Sequence, residues 1–142
     1  MKKLISIVRK ISLVGIIIVL VGIGMIYLFI EYGATVFQHK KITIGNSYVY
    51  LKYKARGLNY DELSISTSKN RFVNTSTDYF YKFSYCLFYR IQNDTVFVYS
   101  GEIANQPPKF KSKIIIIQKS LSNPEFTNLY VNFKTLGYER FP

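Results

Sequence analysis

The sequence has little of what enzymes and metal sites use. It contains one cysteine, one histidine, no tryptophan, and eight acidic residues against nineteen lysines and arginines. Because Cys86 is the only cysteine, no disulfide can form within the chain. Cys86 and His39 together are only the minimum for a thiol nucleophile with its base. The chain also has no GxGxxG, Walker or GxSxG sequence and no clustered ligands for a transition metal.

The few reactive residues also stand in positions that do not suit catalysis. Cys86 falls inside a predicted strand among bulky aromatics, whereas a reactive thiol needs a helix N-terminus or a basic neighbour to lower its pKa. Asp61 and Glu62 are the only adjacent acidic pair and read as polar residues of a loop. We therefore expect no catalytic residue, no metal site and no cofactor.

The longest feature is an apolar run, residues 11–30, without a single charge. At 1.5 Å per residue a helix of this length reaches roughly 30 Å, which matches the hydrocarbon core of a bilayer. The run is longer than the apolar part of a secretory signal, and it ends in bulky residues instead of a cleavage site, which favours an uncleaved anchor over a cleaved signal. Four positive charges precede it, and Lys40 and Lys41 follow, which favours a cytoplasmic N-terminus.

These observations predict four segments. Residues 1–10 form a basic cytoplasmic tail, 11–30 a transmembrane helix, 31–41 a juxtamembrane stem, and 42–142 one extracytoplasmic domain. The part after the tail holds fifteen Lys and Arg against eight Asp and Glu. This excess suits an acidic protein, anionic lipid or an anionic wall polymer as partner, or it only keeps the domain soluble.

The domain shows the alternation of half-buried strands. We predict strands at 47–54, 63–68 and 78–91, with a loop at 55–62 between the first two. In 78–91 the side chains of Tyr79, Tyr81, Phe83, Tyr85, Leu87 and Tyr89 should face the core. Residues 92–94 should turn the chain into a further strand at 95–101, which makes an antiparallel hairpin. The apolar run 114–117 indicates a central strand buried on both faces.

A C-terminal helix should pack on this sheet. Ser122, Pro124 and Glu125 have the spacing of a capping box, and Gly137 stands where a left-handed residue would end the helix. Apolar residues recur at helical spacing between them, namely Phe126, Leu129, Tyr130, Phe133 and Leu136. The predicted fold class is α+β: a transmembrane helix, a small and mainly antiparallel sheet, and a C-terminal amphipathic helix.

Cations and aromatic rings share the polar faces of two predicted strands. Such faces suit an anionic, partly apolar partner through stacking, cation–π contact and charge. The candidate partner-binding patch consists of Tyr48, Tyr50, Lys52, Lys54, Phe80, Lys82, Phe88 and Arg90. The alternative is that these lysines only protect the strand edges from aggregation.

The sequence thus favours a non-enzymatic, single-pass protein of a bacterial inner or plasma membrane. Its partners would be the lipid bilayer and another protein, with anionic lipid or wall polymer as further candidates and nucleic acid disfavoured by the compartment. We expect it to bind that protein outside the cytoplasm, as an accessory subunit of an envelope complex. The alternatives are an immunity-type protein that neutralises an envelope-acting toxin, and a membrane-tethered cell-wall hydrolase.

Overall fold

The chain folds as two separate units. The computed structural model describes residues 2–29, 35–56, 61–82 and 84–142. One unit ends at Thr35, and the other is Val36–Pro142. Together they contain two helices and two four-stranded sheets in the described residues, which confirms the predicted α+β class.

The N-terminal unit is a single long helix, α1 (Lys2–Leu28). Its 27 residues would extend about 40 Å at the rise of an α-helix. The side chains described in it, Ser12 and those of 14–29, are exposed. Residues 11–28 of the predicted span 11–30 fall on this helix, Phe29 follows it, and Ile30 lies outside the described residues. In the described part of the chain, no helix combines the length and the apolar character needed to cross a membrane.

The first sheet has the order β1-β2-β3-β4. Its strands are β1 (Thr35–Ile44), β2 (Ser47–Arg56), β3 (Asp61–Ser66) and β4 (Tyr79–Tyr81). Gly45, whose φ of 56° is open to glycine at no steric cost, begins the two-residue turn between β1 and β2. The predicted strands at 47–54 and 63–68 correspond to β2 and β3. The loop predicted at 55–62 is shorter, because both strands extend into it; residues 57–60 lie outside the described part of the chain.

The predicted stem contains a strand. Strand β1 begins at Thr35 and pairs with β2, and Ile42 on it is buried in the core. The fold therefore begins within the predicted stem 31–41 and not at residue 42. The sequence offered a signal for this, since Val36, Phe37, Ile42, Thr43 and Ile44 are all residue types that favour strands.

The second sheet has the order β7-β6-β5-β8. Its strands are β5 (Leu87–Gln92), β6 (Thr95–Ser100), β7 (Ile115–Ser120) and β8 (Glu139–Phe141). Strands β5 and β6 form the predicted antiparallel hairpin, with Gln92 opposite Thr95 and with Asn93 at a φ of 55° in the turn. Strand β7 pairs parallel to β6, so the sheet is mixed.

The two sheets enclose one apolar core. Strands of both sheets supply its fully buried side chains, which include Val49, Leu51, Leu63, Ile65, Tyr81, Leu87, Tyr89 and Val96. One contact joins the outer strands: Glu139 on β8 accepts hydrogen bonds from Lys40 on β1 and from the Tyr89 hydroxyl, both at 2.6 Å. The bond from Lys40, followed by that from Tyr89, holds the pKa of Glu139 below its usual value.

The segment predicted as one strand at 78–91 is two strands in different sheets. Strand β4 ends at Tyr81 in the first sheet, and β5 starts at Leu87 in the second. Tyr79, Tyr81, Leu87 and Tyr89 face the core as expected, but Tyr85 is exposed where the chain passes between the sheets. Phe83 lies outside the described residues.

The apolar run 114–117 is also placed differently from the prediction. It enters β7, which is an edge strand of the second sheet and not a central one. Ile114 is buried, whereas Ile115 and Ile117 are exposed. The sequence predicts a strand buried on both faces, because a continuous apolar run is typical of central parallel strands.

The C-terminal helix α2 (Asn123–Asn132) covers the outer face of the second sheet. Leu129 is buried there with Phe88, Tyr99 and Leu121, and Phe126 and Phe133 pack against them. This confirms part of the predicted stripe, although Tyr130 and Leu136 are exposed.

Both ends of α2 follow the predicted chemistry. Glu125 accepts hydrogen bonds of 2.8 Å from the backbone N–H and the hydroxyl of Ser122. At the other end α2 stops at Asn132, and the turn 133–137 leads to Gly137, which has a φ of +74°. The N–H of Tyr138 bonds to the carbonyl of Phe133 and that of Gly137 to the carbonyl of Lys134, which is the Schellman pattern.

Candidate functional site

The outer face of β1 and β2 carries a row of aromatic rings. Because Ile42 and Val49 point into the core, the side chains at alternate positions of both strands point away from it. Phe37 and His39 stack at 5.8 Å between ring centroids. His39 and Tyr50 are 6.2 Å apart, and Tyr50 and Tyr48 are 5.6 Å apart, both edge to face. The four rings therefore form a continuous surface across the two strands.

Two cations lie over the ends of this row. The Lys41 ammonium is 4.5 Å from the centroid of Tyr48, and the Arg71 guanidinium carbon is 5.7 Å from that of Phe37. Both distances are within the range of cation–π attraction, which contributes about 0.5–1 kcal/mol at exposed sites. We call the surface formed by Phe37, His39, Lys41, Tyr48, Tyr50 and Arg71 the aromatic–cation face.

An open groove runs along one end of the aromatic–cation face. It has a volume of about 470 Å³ and is lined by Phe37, His39 and residues 68–71. The loop residues are held by short-range hydrogen bonds, since the N–H of Ser68 donates to the Ser66 hydroxyl and that of Asn70 to the Ser68 hydroxyl. Its lining includes the cations of Lys69 and Arg71 and no carboxylate. The groove therefore suits an anionic group placed against an aromatic ring.

A buried ion pair fixes the loop that supplies Arg71. The Lys52 ammonium on β2 lies 2.9 Å from Asp78 and also donates to the carbonyl of Phe72. Asp78 accepts further hydrogen bonds from the Ser66 hydroxyl at 2.7 Å and the backbone N–H of Asn74 at 3.2 Å. Burial alone would raise the pKa of Asp78, but the hydrogen bonds from Lys52, Ser66 and Asn74 outweigh it and hold that pKa below its usual value. The loop is thus anchored at both of its ends.

The structure places two residues of the predicted patch side by side, exposed Tyr48 and half-buried Tyr50, and buries Lys52 and Lys54. Tyr48 and Tyr50 belong to the aromatic–cation face. Lys52 and Lys54 are buried, at 2% and 7% exposure, because the loop after β3 covers them. Lys54 lies over the Phe72 ring, at 5.7 Å from its centroid. Charge reversal at Lys52 would therefore disrupt the fold and cannot test a binding surface.

The other four residues of the patch lie elsewhere. Phe80 is a half-buried residue of β4, and Lys82 follows that strand at an exposed position. Phe88 is fully buried on β5 beneath α2. Arg90 is exposed on β5, where its guanidinium lies over the Phe97 and Tyr138 rings at 5.3 and 5.7 Å. The predicted patch thus combines residues of two different sheets and is not one surface.

Sequence reasoning missed four members of the aromatic–cation face. Phe37, His39 and Lys41 were assigned to a stem without structure, although they occupy alternate positions of a strand. Arg71 had no local signal, because a loop with no periodicity brings it to Phe37 across the sheet.

The thiol and the single histidine are separated by the fold. Cys86 is buried between the second sheet and α2, whereas His39 is on the outer face of the first sheet. Burial raises the pKa of Cys86 to about 11, so the thiol stays protonated at neutral pH. Over the residues described, no three His, Cys, Asp or Glu side chains are grouped in a way that could hold a metal ion.

Comparison of the chain with protein-family models, with curated proteins and with solved structures gives no match.

Proposed function

We propose that this chain is a non-enzymatic, single-pass membrane protein whose C-terminal domain binds another protein outside the cytoplasm. The observation that carries the proposal is the aromatic–cation face, where four rings and two cations form one surface on the domain. Aromatic residues and arginine are the types most enriched at the energetic centres of protein interfaces. The proposed role is that of an accessory subunit in an envelope complex.

The membrane anchor rests on the sequence of α1. As a helix, the uncharged run 11–30 matches the thickness of the hydrocarbon core of a bilayer. Residues 11–28 of the run belong to α1. Its large apolar side chains from Val14 to Phe29 are exposed, which is a costly arrangement in water. The positive charges before the run favour a cytoplasmic N-terminus, and so they favour a domain on the other side of the membrane.

The charge of the face favours an acidic partner. Lys41, Lys69 and Arg71 lie on or beside it, and none of the three forms an ion pair with a carboxylate of the described residues. Two of these cations already contact aromatic rings, so an incoming carboxylate would meet a charge held in place. Such preorganisation lowers the entropy cost of binding.

Crosslinking in native membranes tests this function. The full chain is crosslinked in cells, purified and compared with a variant that carries Lys41→Glu and Arg71→Glu. Both side chains lie on the surface, so the variant should keep its thermal unfolding midpoint and lose the crosslinked protein. The matched control is Lys134→Glu, a charge reversal at an exposed position after α2.

Two results would contradict the proposal. One is a crosslinked partner that both variants retain equally, which would place the binding surface elsewhere. The other is recovery of only lipid or wall polymer, which would replace the protein partner by an anionic polymer or headgroup. Alkaline washing of the membranes tests the anchor separately, because an anchored chain remains in the pellet and a peripheral one is released.

A further inference from the structure

Among the described residues, strand β7 leaves one edge of the second sheet without a strand neighbour. It pairs with β6 on one side only, in parallel register from Thr95 opposite Ile115. The N–H of Ile115 donates to the Asp94 carbonyl and that of Leu121 to the Ser100 carbonyl. In a parallel pair this alternation continues along the strand, so the backbone groups of residues 116, 118 and 120 point away from β6. These groups can pair with an added strand.

The side chains along this edge are apolar and basic. Ile115, Ile117 and Lys119 occupy alternate positions of β7 and, opposite Thr95, Phe97 and Tyr99, lie on the face of the sheet that carries α2. Lys113 lies in the bend that leads into the strand. Ile115 is 50% exposed and Ile117 45%, so α2 does not cover them. Lys113 and Lys119 are exposed as well, and the Lys119 ammonium lies 3.9 Å from the Glu125 carboxylate at the start of α2. That ion pair is exposed to solvent, so an incoming carboxylate can compete for Lys119. Two isoleucines, with a lysine before them and a lysine after them, therefore lie beside the open backbone edge.

The opposite face of β7 is occupied. The amide of Gln118 accepts from the backbone N–H of Ala104 and donates to its carbonyl, at 2.9 and 3.0 Å. The Tyr81 hydroxyl donates to the same amide oxygen at 2.7 Å. These bonds hold the crossover between β6 and β7 against the core side of the strand. A partner can therefore contact the backbone edge and the face with the isoleucines, but not the core side.

We propose that β7 binds an extended segment of an acidic protein partner by strand addition. Main-chain hydrogen bonds to residues 116, 118 and 120 would supply affinity, and side chains at alternate positions would supply specificity. The segment that fits has two apolar residues at alternate positions with a carboxylate at each end, opposite Ile115, Ile117 and the two lysines. The pattern reads the same in both directions, so the segment can add parallel or antiparallel.

Charge distinguishes this occupant from a second copy of the chain. The stretch 107–121 contains four lysines, Lys109, Lys111, Lys113 and Lys119, and no acidic residue. In an antiparallel pair of two copies centred on Ile116, Lys113 of one copy would lie opposite Lys119 of the other. Like charges directly opposite each other destabilise a sheet, and edge lysines are a common device against self-pairing. An acidic segment converts the same charges into attraction.

A designed peptide tests the proposal. The probe is a fluorescently labelled peptide of the sequence Glu-Thr-Val-Thr-Val-Thr-Glu, titrated into the full chain in detergent micelles and followed by anisotropy. We expect saturable binding and slowed hydrogen exchange at the amides of Ile116, Gln118 and Ser120. A peptide with lysine in place of both glutamates should not bind. A peptide N-methylated at every amide should not bind, because strand addition in either direction needs the N–H groups of the peptide.

Variants of the chain complete the test. Lys113→Glu with Lys119→Glu should weaken binding of the acidic peptide by about tenfold and should allow the lysine peptide to bind. Lys134→Glu is the matched control and should bind the acidic peptide as the parent does. The proposal is overturned if the acidic and lysine peptides bind the parent equally, if neither binds, or if exchange at the three amides is unchanged. Lys41→Glu with Arg71→Glu should leave peptide binding intact, which separates this edge from the aromatic–cation face.

Discussion

The ammonium of Lys52 lies 2.9 Å from the carboxylate of Asp78, and each of the two side chains is only 3% exposed. The pair joins the outer face of β2 to the end of the loop that follows β3. Its bonds to Phe72 and Asn74 attach that loop at two further points. Since the loop carries Arg71 to the Phe37 ring, an interaction buried in the sheet sets the shape of the exposed face.

Removal of one member of this pair should be far more costly than removal of both. Lys52→Met or Asp78→Leu leaves a buried charge without its partner, and each should lower the free energy of unfolding by about 3–5 kcal/mol. The double variant should recover most of that loss, because an apolar pair of similar volume replaces the charges. Urea unfolding of the full chain in detergent micelles measures all three. A loss in the double variant equal to the sum of the two single losses would show that the charges contribute independently.

Acid should destabilise the domain through Asp78. Its pKa in the folded state lies below the ordinary value of 3.8, so its contribution is complete above that value and is lost as the pH falls through the folded pKa. Unfolding free energies measured from about pH 6 to about pH 3 should therefore decline at the acid end. The variant with Lys52→Met and Asp78→Leu should decline less steeply. The same slope in both proteins would assign the acid sensitivity to other carboxylates.

Two serines on the same face of β3 should respond in opposite ways to replacement by alanine. Ser66 donates a 2.7 Å hydrogen bond to Asp78, whereas the hydroxyl of Ser64, equally buried, has no hydrogen-bond partner among the described residues. Ser66→Ala should cost about 1.5–3 kcal/mol, because a bond to a charged group is lost. Ser64→Ala should be neutral or slightly stabilising. A comparable loss in Ser64→Ala would reveal a bond to that hydroxyl.

Local patterns predicted the elements better than their partners. Alternation located β2 and the hairpin of β5 and β6, and the capping residues located α2. Alternation also predicted β4 and β5 as a single strand. The reason is that Tyr79, Tyr81, Leu87 and Tyr89 face one core although they belong to two sheets. Period two reports which side of the chain is buried and says nothing about which sheet the residue joins.

The exposed aromatic and basic surface was harder to predict, because long-range contacts decide which cations are exposed. Lys52 reads as a solvent-facing residue in the sequence, and only Asp78, brought over it by a loop, explains its burial. Conversely, Phe37 and His39 lie on β1, within the segment 31–41 that the sequence predicts as a juxtamembrane stem. Residue types alone therefore predict aromatic rings beside cations, but they do not predict which of these residues the fold brings together.

The single thiol should react only when the domain opens. Burial raises the pKa of Cys86 to about 11, and the side chain lies between β5 and α2. Alkylation by iodoacetamide at neutral pH should be slow in the folded chain and fast in urea, because both the thiolate fraction and access are low in the native state. Mass spectrometry of samples quenched over time measures the two rates. Fast labelling without urea would show that α2 opens readily from the sheet.

The end of α2 should depend on glycine at one position. Gly137 has a φ of +74°, which costs a residue with a Cβ atom about 1–2 kcal/mol, and no other atom lies within 4 Å of the place where that Cβ would be. Gly137→Ala should therefore destabilise the domain through backbone strain alone. Gly101→Ala is the matched control, since the space around it is also open and its backbone is not left-handed, so its unfolding free energy should be unchanged or slightly higher. If both variants lose stability equally, the Schellman bonds of Gly137 and Tyr138 do not determine where the helix ends.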